Sequence, residues 1–339
     1  MREEPPISHE TLGTFLLDTY GIAAQSLAFL PVGDTHSAIY RAEATDSSFL
    51  LKLRPSFDDA QLLASRFLFD SGLSEVVAPI PTTTTALYAK IESFSAVLFP
   101  FVEGDTGWDT MADVHWREVG RIFRRIHSLN FDPAFIQGIS REQFDPQPYA
   151  QAVAELEARL TPSAASGTAL DLLQTTWHKN QATIHALTNA MLTLAESLKR
   201  QSLAMVICHA DLHPGNLLRD PAGPVYVIDW DDVMLAPKER DFIFTGEPND
   251  DDTGSPFFDG YRPTDINWTA VTYYRYERVV TDFIEYARDI FRDTLNENTK
   301  LDSAARFVEC LRGGNFIAAE VAAEHLPPGL ATCAVHRTP

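Results

Sequence analysis

The sequence predicts an α+β protein of two lobes: a small β-rich lobe over residues 1–103 and a larger helical lobe over 104–326, followed by a flexible tail at 327–339. Two observations carry this prediction. The first hundred residues alternate short apolar runs with turn signals, and beyond Gly104 the apolar spacing changes to three and four residues. The length of 339 residues is ample for two domains of ordinary size.

In the first lobe, Leu27–Pro31, Ala38–Ala44 and Phe49–Leu53 read as strands, separated by Gly33-Asp34-Thr35 and Thr45-Asp46-Ser47-Ser48. A helix is predicted over Asp59–Asp70, stopped by Gly72. Leu87–Ile91 and Phe94–Phe99 read as a hairpin, giving a small sheet with one helix inserted after its third strand. The lobes join at Phe99-Pro-Phe-Val-Glu-Gly104.

In the second lobe, Val119, Ile122, Phe123, Ile126 and Leu129 mark one face of an amphipathic helix. Ile184, Leu187, Met191, Leu194 and Leu198 mark another, long one within residues 169–201. Met205–Cys208 and Val225–Ile228 are short strands of buried type, bracketing a hairpin that contains Leu217-Leu218 and turns at Asp220-Pro-Ala-Gly223. Helices resume at Trp268–Phe291 and Ser303–Leu311.

Charge excludes whole classes of function. Against 27 Lys and Arg stand 47 Asp and Glu, a net charge of −20, and both lobes share the excess. A phosphate backbone or an anionic membrane needs a basic face, so neither nucleic acid nor membrane is the partner expected. A small cationic molecule is favoured instead. Cys208, Cys310 and Cys333 are odd in number and far apart, so no disulfide framework is expected. The N-terminus lacks a signal-peptide pattern, and no stretch approaches 18 apolar residues, so a cytoplasmic location is expected. Nothing in the pattern specifies an oligomeric state; a monomer is compatible with it.

The chemistry concentrates in His209-Ala-Asp-Leu-His-Pro-Gly-Asn216, followed thirteen residues later by Asp229-Trp-Asp-Asp232. Each polar group follows a buried strand, so Asp211, Asn216 and Asp229 are expected close together. Two carboxylates and an amide oxygen suit Mg²⁺, which is held by few protein oxygens plus substrate phosphates. If Asp211 is not a ligand, it can accept a proton from a hydroxyl. A rival reading makes His209, Asp211 and His213 the ligands of zinc or iron, although no second histidine-rich segment completes that shell.

These segments resemble the aminoglycoside phosphotransferase family, relatives of the protein kinases whose catalytic loop reads His-Gly-Asp-x-His-x-x-Asn. Ile228-Asp-Trp-Asp231, Met234-Leu-Ala-Pro-Lys-Glu-Arg-Asp241 and Tyr273-Tyr-Arg-Tyr-Glu-Arg-Val279 are similar to the branch that acts on spectinomycin. So are Phe49-Leu-Leu-Lys-Leu53, Asp70-Ser-Gly72 and Pro100-Phe101. The resemblance implies a bilobal, protein-kinase-like fold and ATP-dependent phosphorylation of a hydroxyl with Mg²⁺, GTP being a possible donor. It makes Asp211 the base, Asn216 and Asp229 the metal ligands, and Lys52 the strand lysine on the α/β-phosphates. The helix glutamate that usually pairs with this lysine is absent, and Asp59 is the candidate replacement. The phosphate loop, Pro31–Ala38, has one glycine, with Ser37 as a donor. The Phe99 carbonyl and the Phe101 amide are expected to meet the adenine. His209 and Asp241 support the catalytic loop.

For the acceptor, Asp231, Tyr261, Tyr274 and Glu277 are the candidate contacts, within a wider acidic set that includes Glu247, Asp250-Asp251-Asp252 and Asp259. The implied substrate is a small polyhydroxylated cation, an aminoglycoside or aminocyclitol antibiotic such as spectinomycin, and the implied role is resistance. A metabolic kinase of choline or homoserine type, a non-catalytic ATP-binding module and a metal-dependent hydrolase are the alternatives.

Overall fold

In the computed structural model, which describes residues 4–32, 37–108, 111–131, 138–160, 168–220, 223–246 and 255–337, two units interleave along the chain. The first takes Met1–Ser140, Ile207–Leu235 and Asp259–Tyr261; the second takes Arg141–Val206, Ala236–Phe258 and Arg262–Pro339. Strand-rich and helical parts are both present, as the sequence predicts.

The first unit opens on a helix that the hydrophobic spacing did not announce, α1 (His9–Tyr20). The Ser8 side chain caps it by accepting from the Thr11 amide, and Gly21 closes it at φ +71°, a conformation glycine adopts without steric cost. Its Leu12, Leu16 and Tyr20, one face at steps of four, bury against the sheet core. The sheet is antiparallel, with β1 (Ser26–Leu30), β2 (Ala38–Glu43) and β3 (Ser48–Arg54) in series. After α2 (Asp59–Asp70), β4 (Ala89–Ile91) and β5 (Phe94–Pro100) complete it in the order β1-β2-β3-β5-β4. Asp58 caps α2 through the Ala60 amide, and the chain turns at Gly72, φ +89°.

Beyond the sheet, β6 (Asp105–Thr106) precedes α3 (Asp113–His127), which buries Val119, Ile122, Phe123 and Ile126 as the spacing predicts. The hairpin of β7 (Leu217–Arg219) and β8 (Val225–Val227) pairs Leu218 with Tyr226, and β6 adds to its β7 edge. Its turn is closed by the Gly223 amide on the Asp220 carbonyl; Pro221 and Ala222 lie outside the described residues.

The second unit is helical: α4 (Gln147–Arg159), α5 (Thr168–Lys199), α6 (Pro256–Tyr261, its last three residues in the first unit), α7 (Trp268–Ile290), α8 (Glu297–Cys310) and α9 (Gly314–Glu324). Its core stacks Trp177 of α5 on Phe307 of α8 at 5.8 Å, with the Phe283 edge against Trp177. At its centre the Arg275 guanidinium, 2% exposed, donates to the carbonyls of Phe242, Gly246 and Ala318. The tail is expected from sequence to fray, but its described residues, up to Arg337, are packed. A 3₁₀ turn at Pro328–Cys333 returns it to the core, where the Tyr276 hydroxyl donates to the Cys333 carbonyl and accepts from the Val335 amide.

Glu239, in the 3₁₀ turn Lys238–Phe242, is buried and accepts from the Asn267 amide at 3.0 Å. Burial raises its carboxyl above the ordinary 4.5, although the Asn267 amide opposes the rise. A raised folded-state value means the folded protein holds this proton more tightly than the unfolded chain. Stability therefore falls as pH climbs from 4.5 through the raised value. Glu239→Gln keeps the acceptor oxygen and removes the charge, so its unfolding midpoint should exceed the wild type at pH 8 and match it near pH 4. A variant less stable at pH 8 would refute this.

Candidate active site

The strand Val206–Cys208 ends at a sharp turn, with Ala210 at φ +69°. A second non-glycine residue with positive φ, Asp229 at +60°, ends β8. Each costs on the order of 1–3 kcal/mol, a cost characteristic of functional turns. Between them the loop is held by backbone bonds. His209 Nε2 donates to the Ile228 carbonyl at 2.9 Å, and its Nδ1 accepts from the Asp211 amide at 3.3 Å. With both ring nitrogens so engaged, His209 is no metal ligand, which removes the zinc-or-iron reading.

His213 Nδ1 accepts from the Gly215 amide at 3.0 Å, so Nε2 carries the proton, and it lies 3.4 Å from Asp211 Oδ2. The Asn216 Nδ2 donates to the Asp211 carbonyl at 2.9 Å, and the Ile228 amide donates to the Asn216 carbonyl at 3.0 Å. Asn216 is thereby set next to the residue preceding Asp229. The indole of Trp108, 63% exposed, stacks on the His213 ring at 5.6 Å. Gly215 permits the stack, because a Cβ there would lie 2.7 Å from the His213 ring and 2.8 Å from the indole nitrogen.

From β3, Lys52 lies between the fully buried Leu51 and Leu53 and reaches Asp229 Oδ1 at 3.3 Å and Asp231 Oδ2 at 2.8 Å. Two residues on, and on the same face by strand alternation, Arg54 reaches Asp231 at 2.6 Å and donates from Nε to Ser37 Oγ at 2.8 Å. Burial would raise the Asp231 carboxyl, but Lys52 and Arg54 outweigh it and hold it below the usual range. Burial lifts Asp229 above its ordinary value; Lys52 opposes this and the charge of Asp231 adds to it.

The structure thus brings Lys52, Asp229 and Asp231 together and sets Asp211 beside Asn216, while other expected contacts are corrected. Asp59 is exposed in the first turn of α2, and the acids beside Lys52 are Asp229 and Asp231 instead. Asp231, expected at the acceptor, meets the cations of β3, Lys52 and Arg54. The Phe101 amide expected at the adenine donates to the Ser48 carbonyl at 3.0 Å, extending the β3–β5 ladder. Antiparallel partners exchange bonds at every second pair, so Phe99, opposite Leu50, also directs its backbone at β3. The groups facing the other way belong to Pro100 and Val102.

Tyr261 is buried with its hydroxyl 2.9 Å from His127 Nδ1. Tyr274 is 0% exposed, lying against Phe144 and Tyr273, and Glu277 is buried in an ion pair with Arg240. All three are buried groups, Tyr261 at the end of α6 and the other two on α7, a helix buried on nearly every side. Asp259 pairs with Arg117 at 3.0 Å. Asp241 is buried in the second unit. Glu247 and Asp250 to Asp252 lie outside the described residues. Arg54 and Trp108 were not singled out from sequence as site residues, and His213 only as a zinc or iron ligand; the alternation Lys52-Leu-Arg54 was the available signal for the first.

Among solved structures, spectinomycin phosphotransferase APH(9)-Ia in complex with ADP and spectinomycin is similar at a TM-score of 0.81 and 28% identity, over 94% of this chain and 98% of that one. Its AMP-bound complex is similar at 0.78 and 27%, over 95% and 100%. An aminoglycoside phosphotransferase from Alicyclobacillus acidocaldarius shares the fold at 0.63 and 14% identity, over 96% and 98%. No curated protein sequence matches the chain. Residues 29–276 match the sequence profile of the phosphotransferase enzyme family, APH, and with well over half its length so matched the protein belongs to that family.

Proposed function

We propose that the protein transfers the γ-phosphoryl group of ATP to a hydroxyl of a small, polyhydroxylated, cationic molecule, with spectinomycin the leading candidate. The observation that carries the reading is the meeting of Lys52 from β3 with Asp229 from the end of β8, the hairpin that also holds Asn216 beside Asp211. Residues 1–103 are proposed as the nucleotide lobe, and the acceptor site as part of 104–326. The similarity to APH(9)-Ia with ADP and spectinomycin bound supports the choice of nucleotide and acceptor.

Asp229 and the Asn216 amide oxygen are hard donors, and the Asn216 Nδ2 bond to the Asp211 carbonyl commits the nitrogen and so identifies Oδ1 as the ligand atom. The pair fits Mg²⁺, which when bound neutralises phosphate charge. Lys52 meets the α/β-phosphates. Asp211, oriented by the His213 Nε2–H, accepts the proton of the acceptor hydroxyl as that oxygen bonds to the γ-phosphorus and the bond to the departing ADP oxygen breaks. The exposed indole of Trp108, one stack removed from Asp211, offers a face to a cationic ring.

The test is ADP release from Mg-ATP in a coupled assay, with and without spectinomycin. Drug-dependent release well above the basal rate is expected. Release with choline or homoserine but not spectinomycin would replace the acceptor, and silence across such a panel despite nucleotide binding would refute the transferase reading.

A further inference from the structure

In the protein-kinase relatives a helix glutamate pairs with the strand lysine and aims it at the phosphates. Here α2 supplies no such group: Asp58 is spent on capping the helix through the Ala60 amide, and Asp59 is exposed. We propose that Asp231, braced by Arg54, is the residue that positions Lys52, so that the aiming carboxylate comes from the Asp-Trp-Asp segment and not from α2. The proposal rests on the reading of Lys52 as a phosphate contact.

Three observations support it. Asp231 is the nearer of the two carboxylates on Lys52, at 2.8 Å against 3.3 Å for Asp229. If Asp229 turns to a divalent cation, Asp231 remains to hold the ammonium. Asp231 is itself fixed from a second side by Arg54 at 2.6 Å, a guanidinium that stays charged at any working pH. Finally, the segment that carries it is anchored by Trp230, buried against the His209 ring with its indole N–H on the Val227 carbonyl. Arg54 also donates to Ser37, so one side chain ties the residue before β2 to the acid that aims the lysine. The four charges, Lys52 and Arg54 against Asp229 and Asp231, balance. Removing Arg54 leaves one cation between two carboxylates and takes away the second anchor of Asp231, so the carboxylate that holds Lys52 is itself less firmly placed.

The test measures ADP affinity by titration calorimetry, with and without Mg²⁺, on folded protein checked by thermal unfolding. Asp231→Asn should weaken ADP binding about tenfold both with and without Mg²⁺. Arg54→Gln should weaken it several-fold, and Arg54→Lys should restore most of that loss. In a Lys52→Ala background, neither change should cost more than about twofold, because the residue being positioned is gone. An Asp231→Asn loss seen only with Mg²⁺ would make Asp231 a metal ligand and overturn the proposal. A loss that persists in full without Lys52 would overturn it as well. Unchanged ADP affinity in Lys52→Ala alone would instead overturn the phosphate role of Lys52, and with it the reason for any positioning residue.

Discussion

Asp211→Asn is expected to lower kcat with spectinomycin by about 10²- to 10⁴-fold, the contribution typical of a positioned general base. The substitution keeps the shape of the side chain and an oxygen for the His213 Nε2–H, and it leaves untouched the backbone carbonyl that receives the Asn216 amide. What it removes is basicity. Affinity for Mg-ADP and the unfolding midpoint should therefore stay close to those of the wild type, so the loss falls on turnover alone. Retention of wild-type turnover in a folded Asp211→Asn protein would eliminate Asp211 as the base and move attention to the exposed Asp232, next along the acidic segment.

The largest stability effect is expected from Arg275→Met. Arg275 sits inside the second unit and donates to three carbonyls, those of Phe242, Gly246 and Ala318. Methionine fills much of the volume but donates nothing: the Gly246 carbonyl loses the guanidinium, while the Phe242 carbonyl keeps the Thr245 hydroxyl at 3.2 Å and Ala318 lies within α9, and a stranded buried acceptor costs about 1–3 kcal/mol. The loss is about 2–3 kcal/mol, equivalent for a chain of 339 residues to a fall of roughly 3–4 °C in the unfolding midpoint. Circular dichroism melts of the two variants separate the roles: Asp211→Asn loses turnover and keeps its melting point, while Arg275→Met loses the melting point. A midpoint within about 1 °C of wild type, a margin of roughly 1 kcal/mol or less, would mean the carbonyls find other donors.

Where an element advertises itself through local spacing, the sequence was readable. The faces of α3 and α5, the strands of the sheet and the turn after α2 stand where their apolar periods and Gly72 place them. α9 did not, because Gly314–Glu324, with four alanines beside Phe316, Ile317 and Val321, is apolar around most of its surface and so shows little period. The tyrosines of α7 misled for a related reason: a helix buried on nearly all sides puts Tyr274 and Glu277 in the interior, where a one-sided reading expects half of them outside.

The chemistry divides in the same way. The catalytic loop is contiguous and carries its own signature, whereas the Arg54–Asp231 pair joins residues 177 positions apart and leaves no mark in either segment. The Phe101 amide depended on ladder parity. A shift of one residue exchanges which backbone groups face the neighbouring strand, and apolar alternation in a strand does not report that choice.

The interleaving of the two units has a consequence for synthesis. Lys52 leaves the ribosome early, but its partner Asp229 follows 177 residues later, after the whole segment Arg141–Val206 of the other unit has emerged. The first unit therefore cannot close during its own translation. It waits for the β7–β8 hairpin and, at the last, for Asp259–Tyr261. Contacts of such long sequence separation place the assembly of the charge cluster among the slow, late events of folding. The nascent chain must carry the five-stranded sheet, whose strands end at Pro100, with Lys52 and Arg54 on its third strand still waiting for Asp229 and Asp231 over more than half of its elongation.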